Sequence, residues 1–295
     1  MGLSNEQRFK VIQKFIDRMP SLSTTVTKVL EICNRPNTSA NDLNRVISLD
    51  PVLTGQVLKL INSAYYSLPN QISSLTRAII MLGLNTVKNL ALSTAVLESV
   101  GKASAFQSLS MDEFWTHSIC VGVTAKALAG KMGIPPMMQE EYFVSGLLHD
   151  LGKIPLNNCF ASEYQQSLEL ARLEQGPLTR AEEMMMSLDH GMVGKMIAEK
   201  WQLSTTLIDM LNHHHTPDQA AADNRNLIRI VALANIYANL YDIGSAGDNY
   251  PDVTLLGPLL KNLQLRWSDL SSLNDTVQRE IDKAQIFLRV AQEAK

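Results

Sequence analysis

The stretch that decides the fold is "DPVLTGQVLKLINSA", residues 50–64. Its apolar residues recur every three or four positions and share one helical face: Leu53, Val57, Leu60 and Ala64. Asp50 followed by Pro51 marks a helix start, because an acidic cap and a proline at the first helical position both favour one. The stretch therefore predicts a helix with one buried face.

The same period returns along the rest of the chain, where strand-like alternation is almost absent. A second stripe consists of Leu84, Val87, Ala91 and Leu97. Helix starts are indicated by two capping-box pairs, Ser110 with Glu113 and Thr179 with Glu182. Helix ends are indicated by three glycines, Gly83, Gly101 and Gly133. We predict about a dozen helices joined by short turns, and hence an all-α fold.

A glycine and a small polar stretch, "ESVGKASAFQSLSMDE" at 98–113, indicate a seam between two helical blocks. We therefore predict an N-terminal helical lobe over 1–101 and a second lobe over 102–295. From about residue 254 onward, the sequence predicts two or three more helices in the second lobe. Its core candidates are Leu259, Leu263, Ile281, Ile286 and Leu288.

Composition excludes several classes of protein. The chain of 295 residues is 45% hydrophobic and 19% charged with a net charge of -3, which is typical of a soluble globular protein and disfavours nucleic acid as a partner. Three unpaired cysteines, Cys33, Cys120 and Cys159, and a polar N-terminus predict a cytoplasmic location. No apolar run reaches the roughly 18 residues of a membrane span, so no membrane attachment is expected.

All six histidines follow the predicted seam, and three of them are consecutive in "LNHHHTP", 211–217. Each helical residue advances by about 100°, so that His214 and His215 fall on the apolar face with Leu211. His213 falls on the opposite face. We expect two histidines of the triplet to point inward and one to meet solvent.

The other three histidines also lie on apolar faces. His117 shares a face with Phe114, Val121 and Leu128 in a helix that is apolar on nearly every side. Small residues stand one helical turn from the other two rings: Gly146 before His149, and Gly194 after His190. We interpret these small neighbours as space for a ligand or an ion.

A single inward histidine is ordinarily a core residue bonded to a carbonyl group. Five of them beside Asp150 are a different case, since burying so many titratable rings without a shared counterpart is costly. Metal ligation is the better explanation. Imidazole and carboxylate ligands suit Fe, Mn, Ni, Co or Zn, as one or two ions, without singling out one metal. Cys120 lies near His117 but is better explained as a small core residue.

Several blocks of sequence resemble one family in order and spacing. In the second lobe they are "HSICVGV", "GLLHDLGKIPL", "DHGMVGKMIAEKW" and "LNHHHTP". In the first lobe they are "MPSLSTTVTKVLEI", "VISLDPVLTGQVLKLINSAYYSLPNQISSLTRAIIMLG" and "TVKNLAL". Together they resemble the HD superfamily of metal-dependent phosphohydrolases, and most closely its signalling branch, the HD-related output domain or HDOD. The resemblance runs from about Met19 to Leu240.

The resemblance implies a helical regulatory domain of bacterial signalling proteins, with an HD-like second lobe that is thought to lack catalysis. By position, the HD metal ligands correspond to His117, His149, Asp150, His190, His214 and His215. Lys153 corresponds to a lysine that lies near the substrate phosphate in active relatives. Its alternative reading is a solvated lysine at a helix end, where cations are favoured.

Two departures from active HD enzymes count against hydrolysis. Asn235, in "LIRIVALANIYANL", stands where those enzymes carry a further aspartate ligand. An amide oxygen can bind a hard ion but brings no negative charge, and the residue could equally be a structural asparagine. The segment "TPDQAAADN" replaces the DGSGYP-type segment of the cyclic-dinucleotide phosphodiesterases of the HD-GYP branch.

The sequence leaves two main functions open. One is a non-catalytic signalling module that binds a metal, with a nucleotide or phosphate ligand still open, and that acts on separate signalling proteins. The other is an active phosphohydrolase, in which Asp150 and the histidines hold metal and Lys153 steadies the phosphate. A weaker third possibility is a partner surface at Tyr65 and Tyr66, although such tyrosines are more often packing residues.

Overall fold

A computed structural model describes residues 3–101 and 108–293, and these two ranges contain helices and no strand. The expected all-α fold is confirmed. Six helices precede residue 102: α1 (Asn5–Arg18), α2 (Thr24–Cys33), α3 (Ala40–Ile47), α4 (Pro51–Ile61), α5 (Leu75–Leu82) and α6 (Leu84–Gly101). The predicted seam at 98–113 lies partly outside the described residues.

Twelve more helices follow in the described part of the chain. The first seven are α7 (Met111–Lys131), α8 (Pro136–Leu148), α9 (Lys153–Cys159), α10 (Ala161–Glu174), α11 (Leu178–Met186), α12 (His190–Lys200) and α13 (Thr205–His213). The last five are α14 (Arg225–Leu240), α15 (Leu256–Leu263), α16 (Trp267–Ser271), α17 (Asn274–Ala284) and α18 (Ile286–Glu293). The dozen expected from sequence is too few because several helices, such as α16 with five residues, are too short to show a clear period.

Most of the predicted helix boundaries agree with the structure. Asp50 caps α4 by accepting a hydrogen bond from the Leu53 backbone N–H, with Pro51 as the first helical residue. Ser110 caps α7 by accepting from the Glu113 backbone N–H, but the described contacts include no return bond to the Glu113 side chain, so the cap is not the full capping box that was predicted. Gly83 and Gly133 follow α5 and α7 with positive φ angles of 88° and 78°, which glycine adopts without a Cβ penalty.

The capping box predicted for Thr179 and Glu182 is wrong. The helix α11 begins at Leu178 after Pro177, two residues before the start that a cap at Thr179 would give, and no side chain caps it. Thr179 is therefore inside the helix, where its hydroxyl no longer faces the free N–H groups. Glu182 is fully buried and bonds to a different helix.

The helix α7 is central to the helices that follow residue 107 and packs against α8, α14 and α17. Its crossing with α8 is close because glycines face each other: a Cβ on Gly146 would lie 2.7 Å from Gly122 Cα. In the described residues one core cluster extends from α1 to α18. Of the C-terminal core candidates, Leu259, Leu263 and Ile281 are buried, and the other two, Ile286 and Leu288, are partly buried.

The first and last helices each pack against helices that are distant in the chain. The first helix, α1, packs against α9 and α12, whereas the last helix, α18, packs against α4 and α6. Lys200 at the end of α12 donates from Nζ to carbonyl groups at the end of α1, including those of Asp17 at 2.8 Å and Met19 at 2.7 Å. Trp201 adds a bond from Nε1 to the Pro20 carbonyl.

Among the helices described, none is by itself long and apolar enough to cross a membrane. A sharply bent pair, α5 with residues 84–100 of α6, meets the same requirement by length and composition alone.

Candidate metal site

Helix ends bring the candidate ligands together. His149 is the C-terminal cap of α8 and Asp150 follows it, while His190 is the first residue of α12. His214 is the C-terminal cap of α13 and His215 comes next. His117 is the exception, because it lies within α7.

All the candidate ligands except His215 are buried. His213, which was expected to point away, is 21% exposed in its side chain and lies 3.8 Å from Asp209, outside the cluster. The structure thus brings together His117, His149, Asp150, His190, His214 and His215.

Asp150 is the centre of the cluster, and its two oxygens face different groups of rings. Oδ1 lies 3.3 Å from His190 Nε2 and 3.7 Å from His214 Nε2. Oδ2 lies 3.2 Å from His149 Nε2 and 3.8 Å from His117 Nε2. The cluster therefore forms two potential metal-binding groups that share Asp150. Group A contains Asp150, His190, His214 and His215, and group B contains His117, His149 and Asp150.

Three of the rings are oriented through Nδ1. His149 Nδ1 lies 2.7 Å from the Gly146 carbonyl, and His214 Nδ1 lies 3.1 Å from the Leu211 carbonyl. His190 Nδ1 lies 2.7 Å from Glu182 Oε2. Carbonyl oxygens only accept, so Nδ1 of His149 and His214 must donate, and Nε2 then offers its lone pair toward Asp150. Rings held in this way are typical of metal ligands.

Burial keeps most of the rings in the neutral form that binds metal. It lowers the pKa of His117 to about 3, helped by the neighbouring His149, and the pKa of His214 to about 4. It also holds the pKa of His215 well below the usual value. Burial opposes protonation of His190 as well, but the Glu182 carboxylate outweighs it, so that the pKa of His190 is raised.

Asp150 is ionised in this environment. Burial favours its neutral form, but His149 and Lys153 outweigh that effect and hold the pKa of the carboxyl well below its usual value. The ionised carboxylate is the form in which Asp150 binds a cation.

The cluster fits a metal ion by a further observation. His149 Nε2 and Asp150 Oδ1 are buried, yet neither makes a hydrogen bond to any residue that the structure describes. The Nε2 atom of His190 lies 3.2 Å from that of His214 and 3.0 Å from that of His215. Nitrogens that converge in this way need a shared cation or proton, since lone pairs repel one another. The donor set is compatible with Fe, Mn, Ni, Co or Zn.

Lys153 is not the solvated lysine that was one reading of the sequence. It is 1% exposed, and its Nζ donates to Asp150 Oδ2 at 2.8 Å and to the Ala246 carbonyl at 3.0 Å. Burial lowers the pKa of Lys153, but Asp150, Asp248 and Glu182 together raise it above the usual value. The ammonium group is therefore a charged part of the buried network.

Asn235 and Cys120 lie beside the cluster. Asn235 is 5% exposed and close to His117, and its Oδ1 accepts a hydrogen bond from Asn239 Nδ2 at 3.2 Å. Cys120 is fully buried, with its Sγ 3.9 Å from Thr124 Oγ1. These contacts favour the structural interpretation of both residues.

The small neighbours of the histidines make room for helices, not for a ligand. A Cβ on Gly146 would meet the backbone of Gly122, and one on Gly194 would lie 3.1 Å from the Leu211 side chain. The interpretation of Gly146 and Gly194 as space for an ion is therefore wrong. Instead, these glycines let the helices that carry the candidate ligands approach one another closely.

Sequence reasoning missed two buried acids beside the cluster. Glu182 accepts hydrogen bonds from His190, and Asp248 faces Lys153 from the loop after α14. A signal for Glu182 was present, because it lies four residues after Leu178 and four before Met186 on the apolar face of α11. Asp248 is in a loop with no periodic pattern, so no comparable signal exists for it.

The comparisons with known proteins agree with this fold. The HDOD domain model matches residues 19–217, about two thirds of the chain, and the chain belongs to the HDOD domain family. The matched range ends before Asn235, so the part of the resemblance that extended to Leu240 is not covered by the family model.

Solved structures of similar chains share the architecture. An HDOD domain protein of unknown function from Geobacter sulfurreducens is 26% identical, with a TM-score of 0.74 over 96% of this chain and 98% of that one. A candidate phosphohydrolase from Shewanella amazonensis is 21% identical, with a TM-score of 0.69 over 95% of this chain and 98% of that one. A candidate signal transduction protein from Marinobacter aquaeolei is 18% identical, with a TM-score of 0.71 over 98% of this chain and 66% of that one. At these last two identities the likeness shows the fold alone.

An uncharacterized protein from Treponema pallidum is 26% identical over 229 residues, which are 77% of this chain and 43% of that protein. The chain thus spans less than half the length of this relative.

Proposed function

We propose that this chain is a regulatory module of bacterial signalling that binds a metal ion in its HD-like lobe, does not hydrolyse phosphate esters, and acts on partner proteins in the cytoplasm. Membership of the HDOD family supports the regulatory role, and a buried cluster able to hold a metal supports metal binding. The three free cysteines are consistent with a reducing compartment.

The observation that carries the proposal is the position of Lys153. In an active phosphohydrolase this lysine would face the substrate phosphate, but here it is 1% exposed and donates to Asp150 and to the Ala246 carbonyl. To meet a phosphate it would have to break a buried ion pair, which is costly. Asn235 further reduces the negative charge around the cluster, because an amide stands where an active enzyme has a carboxylate.

A metal held in this cluster would stabilise the fold rather than a reaction. The ligands come from α7, α8, α12 and α13 and from the residues next to them. When bound, an ion would bridge these elements and neutralise the Asp150 charge in the core. With its fold stabilised in this way, the domain would contact a partner through its surface.

A second candidate is an active phosphohydrolase, which is favoured by the way Asp150 is shared. Each carboxylate oxygen faces its own group of imidazoles, and paired metal sites in hydrolases use such shared carboxylates. A metal pair would supply Lewis-acid activation of water when bound. In this case Lys153 would leave Asp150 to hold the phosphate.

An activity assay separates the two candidates. We expect the chain loaded with Mn, Fe, Ni or Co to leave nucleotides, cyclic dinucleotides and simple phosphodiesters intact. The reasons are that Lys153 is paired with Asp150 in the core and that Asn235 supplies no negative charge to the cluster. Release of phosphate or nucleotide is the measurement. The matched variants are His149→Ala, within group B, and His213→Ala, which lies next to the ligand candidates His214 and His215 in the chain but outside the cluster. Hydrolysis that is lost in the first variant and kept in the second would establish the enzyme and contradict the proposal.

A further inference from the structure

Glu182 has an unusual pair of contacts. Its side chain is fully buried, and its Oε2 lies 2.7 Å from His190 Nδ1 and 3.0 Å from the His190 backbone N–H, which donates to it. Burying a carboxylate is costly unless it is hydrogen-bonded. Here both bonds to Oε2 come from one residue, so this oxygen of Glu182 is directed at His190.

These two bonds fix the position of His190 in two ways. The backbone N–H of His190 is one of the free donors in the first turn of α12, and Glu182 satisfies it from another helix. The bond at Nδ1 selects the ring orientation in which Nε2 faces Asp150 Oδ1, His214 and His215. His190 can then contribute Nε2 to group A.

The other oriented rings are held differently. His149 and His214 rest on the carbonyl groups of Gly146 and Leu211, each three residues earlier in the same helical segment. His190 alone among these three rings has a charged acceptor. A carboxylate behind a ligating imidazole increases the basicity of the ring and its strength as a ligand.

The charge balance of the cluster adds to this argument. Asp150 is the only carboxylate among the described ligand candidates, and its Oδ2 is already paired with Lys153 at 2.8 Å. Asn235 adds no charge near His117. Glu182 therefore places a second carboxyl group behind group A, in which Asp150 is the one carboxylate ligand candidate.

We propose that Glu182 is a positioning residue of the metal site, which holds His190 as a ligand and makes group A the tighter binder of a divalent transition ion. The inference rests on the proposed metal binding and deepens it. It concerns a residue of α11 that contributes no ligand atom of its own.

Cobalt(II) binding tests the inference, because a change in cobalt ligation is visible in the absorption spectrum whereas a purely structural role for Glu182 would not alter it. The chelator-treated chain is titrated with Co²⁺. We expect Glu182→Gln to bind Co²⁺ at the tighter site about 10–100-fold more weakly than the wild type and with shifted absorption bands. Glu183→Gln is the matched control, since Glu183 is the next residue of α11 and is exposed. It should bind as the wild type does.

The outcomes separate this inference from the proposed function. If the wild type binds Co²⁺ and folded Glu182→Gln binds it with the same affinity and spectrum, Glu182 does not position the ligand and only the inference fails. If the wild type binds no Co²⁺, the proposed metal binding fails first and the inference with it. Should Glu182→Gln not fold, Glu182→Asp keeps the charge but withdraws it by one methylene group. It should also weaken binding, and wild-type behaviour of this variant would overturn the inference.

Discussion

Replacing Asp150 with asparagine will abolish high-affinity metal binding and lower the free energy of unfolding of the metal-free chain by about 3 kcal/mol. Asp150 is shared by groups A and B, so its loss removes the one anionic ligand of both. It also leaves Lys153 charged in the core. Asp248 and the Ala246 carbonyl remain near Lys153, and for this reason we expect the lower end of the range for a broken buried pair. Urea unfolding and metal titration measure the two effects.

A second substitution separates the two consequences of losing Asp150. In the double variant Asp150→Asn with Lys153→Met, no buried lysine is left without its partner, and most of the stability should return. Asp248 can then take up a proton, since burial already raises its pKa. Metal binding should remain absent. An exposed ion pair supplies the control: Glu6→Gln removes the partner of Lys10 and should leave the unfolding midpoint unchanged. Full metal affinity in Asp150→Asn would rule out the assigned ligand groups.

Gly152→Ala should lower the free energy of unfolding by at least about 3 kcal/mol, at or beyond the upper end of the usual cost of overpacking. A Cβ on Gly152 would overlap the His190 carbonyl oxygen and would lie 2.6 Å from the Gly194 backbone nitrogen. Because both obstacles are backbone atoms, α12 would have to move away from Asp150. Chemical unfolding measures the loss, and a metal titration should show weaker binding by group A.

A glycine inside a helix provides the comparison for Gly152, which is the N-terminal cap of α9. Gly55 lies within α4, and a Cβ there would meet nothing within 4 Å. Gly55→Ala should raise the free energy of unfolding by about 0.5–1 kcal/mol, because alanine loses less conformational freedom in a helix. Equal effects of the two substitutions would show that the contact between Gly152 and α12 is not as close as the structure has it.

Local signals in the sequence predicted local structure well. The caps at Asp50 and Ser110 depend on hydrogen bonds over three residues, and they were read correctly. The advance of 100° per residue predicts that His214 and His215 share one face. The structure agrees although α13 ends at His213, because His214 keeps helical backbone angles. The convergence of the ligands followed from their faces and from the family resemblance together.

Features that depend on which helices touch were not predictable from sequence. Periodicity shows that a residue faces inward but not which residues it contacts. The sequence therefore suggests free space at Gly146 and Gly194, whereas in the structure they face other helices. Lys153 was open to two readings for the same reason, since its partner Ala246 is distant in the chain. Glu182 has the spacing of a capping-box residue, but α11 begins at Leu178, so this spacing does not mark the helix start.

The exchange of chain ends also bears on how the molecule comes apart. The helix α1 packs against α9 and α12, and α18 packs against α4 and α6, so each terminal helix is bound to helices that are distant from it in the chain. The bonds from Lys200 to the end of α1 reinforce one of these links. Heating should therefore produce one cooperative transition, with the metal cluster and the N-terminal helices lost together.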